Sequence, residues 1–457
     1  MESLRSTTAV EAIKHIRPGI KILFANVPAD GHFNPLTGMA AHLKNIGCDV
    51  RWYSSTEYGN KIKNLDIPFY PFKKAMELTL ETLDHHFPER KHIKGTIKKL
   101  NFDIINFFIL RSTEYYADIK EIHEEFPFDL MIADLAFSGI PFVKDRMNIP
   151  VLAVSVFPLV ETSKDLAPNG LAMTPATTLL GRWKQDVLRF LSDNLLFKKP
   201  NQVMRQLYNE HGITMDGNIF DALVRKSTFV LQSGSPGFEY KRSDMSKNVR
   251  FVGALLPHSK KRQQAPWYDK RIEQYKKIVL VTQGTAEKDV TKLLTPTLEA
   301  FKNTDYLVIA TTGGSCTQEL RTKFPQHNFI IEDFIPFNEV MPYCHAYITN
   351  GGYGGVMLSI SNGLPLVVAG VHEGKNEINA RVGYFGLGIN LRTELPKPAQ
   401  IRTAVDKVIA DGSFKKNVAN LNQELSTYNS NELTEKYVYE ALGKTTVSRN
   451  AKAALLN

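Results

Sequence analysis

Tyr347-Ile-Thr-Asn-Gly-Gly-Tyr-Gly-Gly-Val-Met-Leu-Ser-Ile360 is the stretch that decides the fold: an apolar strand empties into four glycines and an apolar helical segment follows. Between Asn350 and Gly355 the missing side chains let a ligand approach the backbone. The first free N–H groups of the next helix point at it with partial positive charge. The pattern predicts an anion site, suited to a diphosphate, built from Asn350, Gly351, Gly352, Gly354 and Gly355. A plain strand-to-helix turn uses glycine in the same way, so the rest of the chain has to discriminate.

Working outward, residues 277–282, 306–310, 329–331, 346–349 and 365–369 read as buried strands alternating with helices, which predicts a doubly wound parallel sheet. Gln283, Gly284 and Thr285 follow the first of these strands and can offer backbone N–H groups to a phosphate. Gly313-Gly314 after the second resembles another such turn, although ordinary turn chemistry suffices. Neither G-x-x-x-x-G-K-S/T nor a well-formed G-x-G-x-x-G is present, which argues against a P-loop ATPase and weakens a dehydrogenase reading. No Asp-x-Asp pair occurs, so diphosphate chemistry would rely on the helix terminus rather than on a carboxylate-bound metal.

The N-terminal half repeats the architecture. Residues 21–27 and 49–53 read as strands joined by a helix with Asn34 as cap, Pro35 in its first turn, Leu36, Met39, Ala40 and Leu43 on one face and Gly47 closing it. The crossover loop places His32 just past the first strand, where open parallel sheets put their ligands. Residues 128–133 form another strand ending at Asp134-Leu-Ala-Phe-Ser-Gly139, so Asp134 and His32 are expected at one sheet edge. There Asp134 can fix the imidazole tautomer, or simply cap the next helix. His32 is either a base working near neutral pH or a loop histidine bonded to backbone. Strands are also read at 150–155, 228–232 and 249–252, and residues 161–217 read as polar, helical and poorly patterned.

With 457 residues, 43% hydrophobic and 23% charged, the chain is globular and long enough for more than one core. The expected division is residues 1–256, a linker at 257–272, a second domain at 273–430, and a helical segment at 431–457 that can return to the first domain. The formal charge of +9 is scattered among acidic residues, and even Lys91, Lys94, Lys98 and Lys99 read as a solvent-facing helix, so no nucleic-acid partner is expected. Cys48, Cys316 and Cys344 lie far apart, and His85, His86 and His92 lack metal-site spacing, so neither a disulfide framework nor a metal site is expected. No run of about 18 apolar residues suggests a membrane span or signal sequence, which predicts a cytoplasmic protein.

Taken together, Phe24-Ala-Asn-Val-Pro-Ala-Asp-Gly-His-Phe-Asn-Pro35, Val281-Thr-Gln-Gly-Thr285, Phe334-Ile-Pro336, Asn350 to Gly355, Gly363-Leu-Pro-Leu-Val-Val368 and Asn379-Ala-Arg-Val382 resemble the family 1 glycosyltransferases over most of the chain. The resemblance implies an α/β GT-B fold of two Rossmann-like domains facing a central cleft. It also implies an inverting, metal-independent transfer of a hexose from a UDP- or dTDP-sugar to a small hydroxylated acceptor such as a phenol, flavonoid or macrolide. In that reading His32 is the general base and Asp134 its partner. Phe33, Phe87, Phe137 and Phe157 line the acceptor pocket, and Phe334 stacks on the pyrimidine. The nucleotide sugar is a cosubstrate and no other cofactor is implied.

Several positions depart from the family pattern. Asn350 stands where the family commonly has a diphosphate-contacting His, Gly354-Gly355 replaces an Asn-Ser pair, and Leu358 replaces a ribose-binding Glu. Counting from Pro365, the Asp-Gln pair that grips sugar hydroxyls becomes Gly374-Lys375, with Glu373 one place early as a substitute and Lys375 as an added positive charge. The altered donor motif leaves a non-catalytic GT-B accessory protein as an alternative, and a glycolipid transferase or an epimerase would keep the donor half.

Overall fold

The computed structural model describes residues 19–79, 82–258, 267–284 and 287–443. Its strands fall into two parallel sheets. The first contains β1 (Lys21–Ala25), β2 (Asp49–Ser54), β3 (Phe69–Pro71), β4 (Leu130–Asp134), β5 (Val151–Ser155), β6 (Phe229–Gln232) and β7 (Val249–Phe251). The second contains β8 (Lys277–Thr282), β9 (Tyr306–Thr311), β10 (Phe329–Glu332), β11 (Ala346–Thr349), β12 (Leu366–Val368) and β13 (Gly388–Asn390). Their orders are β3-β2-β1-β4-β5-β6-β7 and β10-β9-β8-β11-β12-β13. In each sheet the winding reverses once, between β1 and β4 and between β8 and β11. Ligands of open α/β sheets bind at such reversals, beyond the carboxyl ends of the strands.

Both sheets are covered on both faces, which is why their strands read as continuous apolar runs. Along β1, Ile22 and Phe24 enter one core with Leu36, Met39 and Leu43, while Leu23 and Ala25 enter another with Tyr115, Phe128 and Val151. Along β8, Ile278 and Leu280 pack on one side and Val279 and Val281 on the other. Cys48 and Cys344 are buried in these cores; burial, helped by Glu435, pushes the Cys48 thiol up to about 11, and burial alone pushes Cys344 up to about 12. Both therefore stay neutral thiols.

The chain crosses between halves more than once. Phe238 packs in the core of the second sheet with Tyr353 and Val418, and Ile272 joins the same core. The helix Ser430–Ala441 returns to the first sheet, where Tyr437 and Val438 sit in the core of β1 and Tyr437 meets the Phe229 ring at 5.7 Å. Residues 259–266 of the expected linker and 444–457 of the final segment lie outside the described residues.

The helix after β1 starts earlier than its cap residues predict. It spans Asp30–Asn45, with Ala29 extended at its start and Pro35 inside it. Ala29 O accepts the amides of His32 and Phe33 at 2.9 and 3.0 Å, which closes the first turn ahead of Asn34. His32 therefore stands on the first turn of a helix rather than in a loop.

Candidate active site

On the first sheet, β1 and β4 are direct neighbours, with Ala25 opposite Ala133, so the residues leaving both strands meet at one edge. His32 Nδ1 lies 2.9 Å from Asp134 Oδ1. Asp134 is fully buried; its Oδ1 also accepts the Ala136 amide at 2.9 Å, and its Oδ2 accepts the Val27 amide at 2.8 Å. Both carboxyl oxygens accept backbone N–H groups, so Asp134 meets the imidazole as an acceptor, which assigns the ring proton to Nδ1 and leaves the Nε2 lone pair available. The His32 side chain keeps 26% exposure, and the Phe157 ring stands beside it at 5.9 Å.

Two aromatic expectations are corrected. Phe33 points the other way from His32, into the first core, against Trp52 at 4.9 Å and Tyr58 at 4.8 Å. Phe137 is fully buried against Tyr115 at 4.5 Å, in the core on the other face of the sheet. Phe33 is turned inward by the helix that starts at Asp30 and Phe137 by the turn after β4, and neither can touch a ligand without unpacking a core. Phe87 is half-buried in a small cluster with Leu83 and Phe107, edge-on to Phe102.

On the second sheet, the turns after β8, β9 and β11 gather at the other reversal. Asn350 donates its amide to Gln283 O, tying the turns after β11 and β8 together. A Cβ built on Gly313 would lie 3.6 Å from Gly284 O, and one on Gly314 would lie 3.9 Å from the Phe334 ring, which is itself 70% exposed. Gly284, Gly313, Gly314, Asn350 and Phe334 are thus neighbours, while Gly351 is buried against Asn379. The helix that follows runs Tyr353–Ser361, so Gly354 and Gly355 occupy its first turn, where N–H groups lack helical partners. Leu358 is half-buried against the second core.

One expected donor contact comes out differently, and two others pair with each other. The Gln283 side chain is buried and spent on the fold: Oε1 accepts the Leu293 and Leu294 amides at 3.0 Å, and Nε2 donates to Asp289 O at 3.0 Å. Only its backbone can serve a ligand. Glu373 and Lys375 pair with each other, so the lysine charge is already partly matched. Lys375 also borders a narrow cleft with Asn350, Glu287, Lys292 and Glu394. There burial would raise the Glu287 carboxyl, but its bond to Lys292, the Asp289 amide and the nearby Lys375 outweigh burial and hold it below its ordinary value. Thr285 lies outside the described residues.

The structure adds residues that the sequence did not single out as site-forming. Asn379 is fully buried and donates to Gly370 O at 2.9 Å and Asn350 O at 3.3 Å, bracing the glycine turn from behind. Tyr353 donates its hydroxyl to Ser233 O at 2.6 Å, joining the helix start to the first half. Glu377 accepts the Gly170 and Ala172 amides, both at 2.8 Å. Asn379 and Tyr353 fall within quoted motifs, but burial and cross-chain partners are not legible in a motif.

Gly351 is the tightest point. Its φ of +86° is left-handed, and a Cβ there would lie 1.8 Å from Asn379 Oδ1. Gly351→Ala is therefore expected to destabilise the protein by at least about 2 kcal/mol, combining a left-handed penalty with overpacking. Calorimetry would read this as a lowered Tm, and titration with UDP as weakened binding; an unchanged Tm and affinity would remove the proposed constraint.

Two doubly wound domains, one presenting a His–Asp pair at its strand reversal and the other a glycine-lined helix start at its own, define the GT-B class of glycosyltransferase. Residues 296–438 match the model of the erythromycin biosynthesis protein CIII-like C-terminal domain. The chain is 32% identical over 414 residues to 4'-demethylrebeccamycin synthase of Lentzea aerocolonigenes, covering 89% of this chain and 96% of that protein. It is 28% identical over 450 residues to UDP-glucosyltransferase 1 of Beauveria bassiana, covering 92% and 95%. Among solved structures, the calicheamicin glycosyltransferase CalG4 superposes with a TM-score of 0.72 at 20% identity, over 94% of this chain and all of that one. The chain belongs to the family 1 glycosyltransferases.

Proposed function

We propose that the protein moves a hexose from a UDP- or dTDP-sugar to a hydroxyl of a small, largely apolar acceptor, with inversion and without a metal. The observation that carries this reading is the 2.9 Å contact between His32 Nδ1 and buried Asp134, which leaves Nε2 as a proton acceptor beside Phe157. Nε2 takes the acceptor's hydroxyl proton as its oxygen attacks the anomeric carbon. The bond from that carbon to the diphosphate breaks on the opposite face, and the leaving oxygen keeps the electron pair. Asp134 stabilises the imidazolium until its proton returns to water. N–H groups at Gly354 and Gly355, with Lys375 nearby, meet the charge that develops on the diphosphate. Phe334 offers its exposed face to the base.

The relatives named as a UDP-glucosyltransferase and as a 4'-demethylrebeccamycin synthase support the donor class and a natural-product acceptor. We place it in the cytoplasm, where free thiols such as Cys48, Cys316 and Cys344 stay reduced. The test is a mass-spectrometric screen of UDP- and dTDP-sugars against phenolic and aliphatic alcohols with chelator present, with the anomeric configuration of any product read by NMR. A glycoside of inverted configuration formed in chelator is the expected result. Strict metal dependence or retained configuration would overturn the mechanism.

A further inference from the structure

The helix Leu179–Leu191 carries its amphipathic pattern the wrong way round for a soluble surface. Two of its polar side chains face the protein, Gln185, which is buried and donates to Thr174 O at 3.0 Å, and Arg189, which donates to Leu166 O and pairs with the exposed Asp186, while Arg182 and Lys184 flank the helix in water. Its apolar side faces water, with Leu179 83%, Leu180 73%, Trp183 63% and Phe190 65% exposed. Leu195, 68% exposed, extends the stripe. With Leu100 of the neighbouring helix Thr96–Asp103 it borders an apolar groove of about 360 Å³. Single exposed leucines are ordinary, but a continuous apolar stripe marks a surface that something covers.

The charge around the stripe says what covers it. Lys94, Lys98, Arg182, Lys184, Lys198 and Lys199 are all exposed, and none forms an ion pair among the described residues. A second copy joined by a two-fold axis would set this basic fringe against itself. A bilayer with anionic headgroups accepts both features at once, the apolar stripe at the acyl boundary and the lysines at the phosphates.

We infer that the Leu179–Leu191 helix docks the protein on an anionic lipid surface, with Trp183 and Phe190 entering the headgroup–acyl boundary. The groove also reaches Gly170, whose amide is held by Glu377 of the second half, so the docked face adjoins a contact between the two halves. Docking does not depend on which sugar or acceptor the enzyme uses.

The test is co-sedimentation of the full chain with vesicles of phosphatidylcholine alone or mixed with phosphatidylglycerol, together with tryptophan emission. Trp52 is fully buried and Trp267 half-buried, so a blue shift on adding vesicles reports chiefly on Trp183. The expected result is binding to the anionic vesicles only, weakened by salt and by about fivefold for each of Lys98→Glu and Lys184→Glu. Trp183→Asp with Phe190→Asp should abolish binding and leave the circular-dichroism melt unchanged, since both side chains face water. Equal binding to neutral vesicles, or no binding to either, would overturn the inference. So would a concentration-dependent dimer in lipid-free sedimentation that the same double variant dissociates, because the cover would then be a second copy.

Discussion

His32→Ala is expected to lower turnover by about 10²–10⁴-fold while leaving nucleotide binding in place, because the general base is lost and the second half is untouched. His32 is on the first turn of its helix, with about a quarter of its side chain exposed, so the substitution removes no core contact. Asp134 sits deeper. It accepts two backbone amides as well as the imidazole, and an asparagine there can serve at most part of that set. Asp134→Asn should therefore reduce turnover and also shift the melting temperature, whereas His32→Ala should reduce turnover alone. Initial rates with the best donor and acceptor from the screen, measured across a pH series, separate the two. Equal turnover by His32→Ala at every pH would remove His32 as the base.

Strands buried on both faces were legible in the sequence because each reads as an unbroken apolar run: 277–282 and 346–349 match β8 and β11 residue for residue. Of the four edge strands, 249–252 and 329–331 were read and two were not. Phe69–Pro71 and Gly388–Asn390 are three residues each, and each includes a Pro or a Gly that argues against a strand on composition alone. His32 and Asp134 were legible because position after a strand is a topological property. Phe33 and Phe137 were misread because burial direction depends on the start of a helix and the neighbours of a turn.

The helix Leu179–Leu191 was missed for the opposite reason. Its pattern is strong, but the polar residues at 182, 184, 186 and 189 mask it until the packing shows which side faces out. Asn379 and Glu377 could not have been ranked, since what matters about them is a partner far away in the chain.

The same kind of partner governs the junction of the two halves, where Arg381→Met is expected to cost about 3–5 kcal/mol of stability. Arg381 is almost wholly buried on the helix Lys375–Tyr384 and reaches Glu239 of the first half, with Nη2 at 3.1 Å and Nε at 3.2 Å from Oε2. It also donates to Glu377 O at 3.1 Å and lies over the Tyr240 ring at 4.3 Å. Methionine keeps much of the volume but leaves the buried Glu239 carboxylate with the Leu159 amide, at 2.9 Å, as its remaining hydrogen-bond donor among the described residues and the buried Arg242 as a more distant charge. An unpaired buried charge is what makes breaking such a pair costlier than removing it whole. Glu239→Gln combined with Arg381→Met should therefore recover part of the loss, giving a coupling energy of about 0.5–3 kcal/mol in a double-mutant cycle. Denaturant melts of the four proteins measure it. Additive losses would mean that the pair does not join the halves, and the contacts of Tyr353 and Glu377 would then have to carry the junction alone.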